Sequence, residues 1–217
     1  EMAEGARQLG YDYLAITEHS KRVTVAGGLD ADELAGHVGN IEEVDGEMEG
    51  IRILSGVEVD ILDDGSLDLP DDVLERLDVV VASVHYRFDL SREKQTERVL
   101  RALDNPRLNI LGHPTGRKLG KRDSYEIDLE RILEAAAERG CFLELNAYPD
   151  RLDLTDVACM RAREKGAKVV ISTDAHRTSH LEYMRFGVGQ ARRGWLSASE
   201  VVNTRAVDEL LSMLERE

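Results

Sequence analysis

Apolar residues in this chain fall into short runs, and six of the runs share one design. Each is rich in aliphatic and β-branched residues, ends on a polar or chemically active residue, and leads into a stretch with helical spacing. The runs cover residues 11–19, 51–61, 78–85, 108–113, 141–147 and 168–176. Several are almost continuously apolar, as in Val79-Val80-Val81-Ala82-Ser83-Val84, which suits strands covered on both faces of a parallel sheet. The segments between them carry helix boundary signals. A short opening helix closes at Gly10. Asp30 is placed to cap a helix over 31–48, and Ser91 opens one that Asn105-Pro106 ends. The patterns over 128–139 and 154–165 stop at Gly140 and Gly166, the residue type that a left-handed helix terminus favours. The spacing then predicts helices over 181–193 and 199–217, the second capped by Ser197 or Ser199.

Six alternations of strand and helix make βα units and a parallel α/β sheet. No repeat, low-complexity tract or linker interrupts them, so residues 1–217 read as one domain. An open doubly wound sheet would place a Gly-rich nucleotide turn after its first strand. A β/α barrel would instead set functional residues at the C-terminal ends of many strands at once. The run ends favour the barrel: in order they carry His19, Glu58, His85, His113, Asn146, and Asp174 with His176. Of the six histidines in the chain, four close strands; His37 falls within a helix and His180 in a loop.

Converging on one barrel mouth, four imidazoles and two carboxylates are the donors that Zn, Mn and Fe prefer, and more of them than one ion needs. Without a metal, bunched imidazoles would repel when charged and leave buried nitrogens unpaired. The economical reading is a cluster of two or more ions bridged by Glu58, able to generate hydroxide near neutral pH and to clamp a displacement at phosphorus.

Charge sharpens this picture. Lys and Arg number 28 against 43 Asp and Glu, giving −15, so the mean field repels phosphate and any anion must be held locally. Nine basic residues sit in loops after the strand ends: Lys21, Arg22, Arg87, Arg117, Lys118, Lys121, Arg122, Arg151 and Arg177. They predict a positive rim, with Lys21, Arg117, Arg151 and Arg177 as candidate phosphate binders. Tyr86, Phe88 and Tyr148 lie on the same loops, where their rings serve either packing or stacking on a base. The segment from Gly116 to Lys121 is one residue too short between its glycines for a phosphate-binding P-loop and lacks the Ser/Thr. Cys141 and Cys159, without a CxxC, exclude a disulfide framework and a zinc ribbon. No apolar stretch reaches the roughly 18–20 residues of a membrane span. The reading is a soluble, cytoplasmic protein without a membrane partner.

Several segments resemble the PHP (polymerase and histidinol phosphatase) family. They are Ala15-Ile-Thr-Glu-His-Ser20, Ile53-Leu-Ser-Gly-Val-Glu-Val-Asp-Ile61, Val81-Ala-Ser-Val-His85, Ile110-Leu-Gly-His-Pro-Thr-Gly116 and Ser172-Thr-Asp-Ala-His176. Asn146-Ala-Tyr-Pro-Asp-Arg-Leu-Asp-Leu154 and Ala191-Arg-Arg-Gly-Trp-Leu196 are similar to one branch of it, the C-terminal domain of bacterial family X DNA polymerases. The resemblance implies a distorted seven-stranded β/α (TIM-like) barrel holding a two- or three-metal cluster of Mn2+ and/or Zn2+. It carries ligand roles onto His19, Glu58, His85, His113, Asp174 and His176. It further implies a 3′–5′ exonuclease or 3′-end-processing phosphoesterase that meets DNA 3′ ends beside a gap-filling polymerase in base excision repair. A small-molecule phosphatase of the histidinol phosphate type and a catalytically weak module supporting the polymerase are the alternatives. Two departures stand out. Thr17-Glu18-His19-Ser20 replaces the family's Thr-Asp-His-Ser, and the family's opening His-x-His strand has no counterpart. That strand would lie just before Glu1, so the expectation is a truncated barrel that lacks its first strand and leaves two sheet edges open.

Overall fold

The computed structural model describes residues 1–24 and 27–216. Its strands follow the six runs: β1 (Tyr13–His19), β2 (Arg52–Asp60), β3 (Val79–Ser83), β4 (Ile110–Leu111), β5 (Phe142–Asn146) and β6 (Val169–Ser172). They pair in parallel and in sequence order, forming an α/β fold whose sheet curls into a half-barrel. Among the described residues β1 and β6 do not pair with each other. Helices α1 (Met2–Gln8), α2 (Ala31–Glu47), α3 (Asp71–Leu74), α4 (Arg92–Leu103), α5 (Leu129–Arg139), α6 (Asp156–Glu164), α7 (Met184–Arg193) and α8 (Val207–Leu214) complete the chain, with 3-10 turns at Thr178–Tyr183 and Val202–Thr204.

Local chemistry explains the boundaries. Asp30 accepts from the backbone N–H of Asp32 and Glu33 at 3.1 Å, and the Glu33 carboxylate accepts the Asp30 N–H at 2.9 Å, a complete capping box for α2. Ser91 caps α4, and α5 ends where Gly140 turns left-handed at φ 67°. Three expectations shift. α6 begins at Asp156 rather than 154, because Thr155 Oγ1 accepts the N–H of Ala158 at 3.0 Å. The segment expected as a helix over 181–193 enters through the 3-10 turn, and α7 proper starts at Met184.

The helix expected over 199–217 shrinks to α8, and neither Ser197 nor Ser199 caps a helix; Glu217 lies outside the described residues. Ser197 instead binds the Glu200 carboxylate through both N–H and Oγ at 2.7 Å, closing a turn. Glu200 O then accepts the N–H of Val169 at 2.9 Å, and Asn203 accepts from Ile171 N at 3.0 Å and donates to Ile171 O at 2.8 Å. Residues 200–203 thereby satisfy the outer edge of β6, one of the two edges expected to lie open.

Period-2 alternation divides the sheet into two faces. Val57, Val59, Val80, Ala82 and Leu143 face outward and pack with Leu34, Leu74, Leu103, Ile132 and Leu133 of the surrounding helices. Leu54, Val79, Ile110 and Phe142 face inward and pack with Leu210 and Leu214, so α8 plugs the floor of the half-barrel. Cys141 and Cys159 are buried free thiols in the outward core.

Candidate metal centre

The inward positions change character from floor to mouth. On β2 the parity of Leu54 continues to Glu58 and Asp60; on β5 that of Phe142 continues to Glu144 and Asn146, with Ser172 in register beside Asn146. The β1–β2 register sets His19 directly beside Glu58.

Glu58 is the hub. Its Oε2 lies 3.5 Å from His19 Nδ1, and its Oε1 lies 3.4 Å from His85 Nε2 and 3.1 Å from His113 Nε2. Ring centroids are 5.3 Å apart for His19 and His85 and 5.1 Å for His85 and His113. One donor atom each from His19, Glu58 and His85 fits within a 4.8 Å group. Asp174 and His176 lie to one side. The His176 ring centroid is 6.4 Å from that of His19, its side chain is 62% exposed, and its Nδ1 is 2.9 Å from Asp174 O. Asp174 Oδ2 accepts from Asn146 Nδ2 at 3.1 Å and lies 3.3 Å from Arg151 Nε. The strand ends therefore bring His19, Glu58, His85 and His113 into direct contact and set Asp174 and His176 at the margin of that group.

The donor set suits a divalent cation. His113 is 3% exposed, yet neither of its ring nitrogens has a hydrogen-bond partner among the described residues, nor does His19 Nδ1; the Glu58 oxygens are near but misaligned. Each such orphan costs about 1–3 kcal/mol, which coordination would offset. Burial pushes the His113 pKa down, favouring the neutral imidazole that ligates. Burial also resists ionisation of Glu58, but its contacts with His113 and His85 prevail and hold its carboxyl well below the usual range. For His85, burial opposes the charge while Asp60 and Glu58 raise the pKa to about 9. His113 and Asp174 adopt left-handed backbone at φ 24° and 49°, a strain of about 1–3 kcal/mol each that tends to collect at functional sites.

Most of the expected rim is internally paired. Lys21 pairs with Asp30 at 3.2 Å, Arg87 with Asp63 at 3.1 Å and Lys121 with Asp150 at 2.6 Å. Arg22 reaches Asp60 at 3.1 Å. Arg117 donates to the carbonyls of Arg151 and Leu152 and so pins that loop. Arg177 Nε lies 2.5 Å from His180 Nε2. The rings are engaged too: Phe88 stacks on Tyr125 beneath Arg122, Tyr86 lies under Arg22, and Tyr148 packs on His180 and Tyr183. Glu144, absent from the strand-end inventory, is buried in the middle of β5, on the same face as Asn146. Its signal was a lone acid at the inward parity inside Phe142-Leu-Glu-Leu-Asn146. Burial, then the charges of Glu58 and Asp174, push its pKa up to about 8.

The curled parallel sheet thus gathers imidazoles and acids at its strand ends. The PHP domain model matches residues 1–148, and the chain belongs to that family. It is 44% identical over 216 residues to the DNA polymerase/3′-5′ exonuclease PolX of Bacillus subtilis (strain 168), an alignment covering 100% of this chain and 38% of that protein. The chain thus spans well under half the length of this relative. A probable phosphatase of Thermoanaerobacter sp. (strain X514) is 34% identical over 81% of this chain and 71% of its own length. Among solved structures, histidinol phosphate phosphatase from Lactococcus lactis, in complex with zinc, L-histidinol and phosphate, superposes with a TM-score of 0.64 over 89% of this chain and 86% of that one. At 18% identity that likeness is one of fold. No helix among the described residues is long and apolar enough to cross a membrane.

Proposed function

We propose that this chain is a metal-dependent phosphoesterase domain acting on DNA 3′ ends, a 3′–5′ exonuclease or end-processing activity beside a family X polymerase in base excision repair. The observation that carries the reading is Glu58 within 3.1–3.5 Å of the His19, His85 and His113 imidazoles, with both His113 nitrogens and His19 Nδ1 buried and without a hydrogen-bond partner among the described residues. The 44% identity to a polymerase/3′-5′ exonuclease directs it to DNA.

In this reading His19, Glu58, His85, His113, Asp174 and His176 would hold two or three divalent ions, Mn2+ or Zn2+. Such ions supply Lewis acidity at phosphorus and make water acidic enough to serve as a nucleophile near neutral pH. The surrounding residues bind and orient. Arg151 is 12% exposed beside Asp174, and its Nη1 has no partner among the described residues, leaving N–H groups for a phosphate oxygen. Burial, then the charges of Arg151 and Arg122, pull the Lys118 pKa down, which marks a locally positive corner in an acidic protein. Arg117 supports the loop bearing Arg151, and Lys21 and Arg177, two residues after His19 and one after His176, would have to leave Asp30 and His180 to reach a phosphate.

A second reading, a small-molecule phosphatase, is favoured by the probable phosphatases whose length the chain covers to 71% and 79%. A 5′-labelled single-stranded oligonucleotide and a phosphate monoester, each incubated with Mn2+, separate the two. Stepwise release of nucleotides, lost in His113→Ala and Asp174→Ala, is expected. Hydrolysis of the monoester alone would establish the second reading, and inertness towards both with metal bound would leave a supporting module.

A further inference from the structure

Glu144 sits in the middle of β5, 7% exposed, and its carboxylate spans three strands. It accepts the backbone N–H of His113, just past β4, at 2.5 Å. It accepts Ser172 Oγ, at the end of β6, at 2.5 Å. It also lies 3.4 Å from Asn146 Nδ2, and the same amide donates to Asp174 Oδ2 at 3.1 Å. His113 and Asp174 are the two expected ligands with left-handed backbone, a conformation that persists only where surroundings over-determine it. A backbone amide and a hydroxyl need only an acceptor. A forked side chain is required to tie β4, β5 and β6 together from one point, and that point lies directly behind both ligands. Packing alone would place an apolar residue here, as Phe142 is placed two positions earlier on the same face.

We infer that Glu144 is a positioning residue, fixing His113 through its backbone and Asp174 through Asn146 so that their donor atoms meet at a divalent cation. This rests on the metal-centre reading above. The shape of the fork, rather than its charge, does the positioning, since Gln can accept from His113 N with its oxygen and donate to Ser172 Oγ with its amide.

The test is calorimetric titration of the 217-residue chain with Zn2+ and with Mn2+, alongside Glu144→Ala, Glu144→Gln and the control Asp78→Ala. Asp78 is also a partly buried carboxylate, accepting from Ser55 N at 2.8 Å and Ser55 Oγ at 2.9 Å at the opposite end of the sheet. Glu144→Ala is expected to weaken metal binding about 10- to 100-fold, Glu144→Gln to keep it within about threefold, and Asp78→Ala to lower the melting temperature without changing affinity. If Glu144→Ala does not fold, Glu144→Asp, which withdraws the carboxylate by one methylene, carries the same expectation as the alanine. Wild-type affinity in Glu144→Ala or Glu144→Asp would overturn the inference, as would a Gln variant as weak as the alanine one. A wild-type chain that takes up no metal would instead overturn the metal-centre reading on which it stands.

Discussion

Asp60 Oδ1 lies 3.3 Å from His85 Nδ1 and accepts the backbone N–H of the same residue at 3.1 Å. One oxygen thus fixes both the main chain and the ring of His85, leaving Nε2 to face Glu58. Asp60 is fully buried, with Arg22 Nε 3.1 Å from its other oxygen and its N–H donated to Ser20 Oγ at 3.1 Å, so the brace is itself braced. A carboxylate on one ring nitrogen sets the tautomer that presents the other to a metal. Asp60→Asn should weaken divalent-ion binding by about 10- to 100-fold, read by competition with a fluorescent chelator. Unchanged affinity would show that His85 needs no such support.

The metal-free protein should lose stability as pH rises from about 6 to 9, and two groups give the same sign. His85 is raised to about 9 by its carboxylates, so its contribution is complete below the unfolded value near 6.5 and disappears as pH rises through 9. Glu144 is raised to about 8, so between its unfolded value near 4.5 and 8 the unfolded chain ionises first and folding weakens with pH. Divalent ions compete with protons for imidazole, so their stabilisation should grow over the same interval. Melting temperatures of chelator-treated and Mn2+-saturated protein across pH 6–9 should therefore diverge. Parallel curves would contradict the coupling.

Much of this centre is written in the chain, and the parts that are not have a common cause. Strand parity is local, so the inward alignment of Leu54, Gly56 and Glu58, and of Phe142, Glu144 and Asn146, follows from counting by two. Glu144 was legible on the same rule. The rim was not. Whether Lys121 faces substrate or Asp150 depends on two loops meeting 29 positions apart, and Arg22 finds Asp60 across 38. The terminal helix fails for the same reason: its first half is taken by β6, where Asn203 pairs with Ile171 across 32 positions, a tertiary demand that outweighs helical spacing.

Arg151 should govern substrate affinity. Truncation to alanine removes charge-assisted hydrogen bonds worth about 1.5–3 kcal/mol. The KM for a 3′-labelled oligonucleotide should therefore rise about 10- to 100-fold, with Arg151→Lys intermediate because it keeps charge without the fork. Asp174 also loses its neighbour, so metal affinity should hold or increase. Steady-state kinetics at saturating Mn2+ tests both, and an unchanged KM would assign phosphate binding elsewhere.

Floor and mouth should fail separately. Leu210 is 6% exposed and closes the half-barrel against Leu54, Val79, Ile110 and Phe142. Replacing it with alanine keeps α8 helical, since alanine is the best helix former, so the loss reports packing and the cavity left behind. The expected cost is about 2–5 kcal/mol, measured as a lower urea midpoint with an unchanged slope. The donor atoms sit at the other end of the strands and share no hydrogen bond with α8, so the folded fraction should bind metal as the wild type does. A double variant with Asp60→Asn should then lose stability and metal affinity by the sum of the single effects, as separated sites do. Strong coupling between the two would mean that α8 sets the spacing of the strand ends rather than merely sealing the floor beneath them.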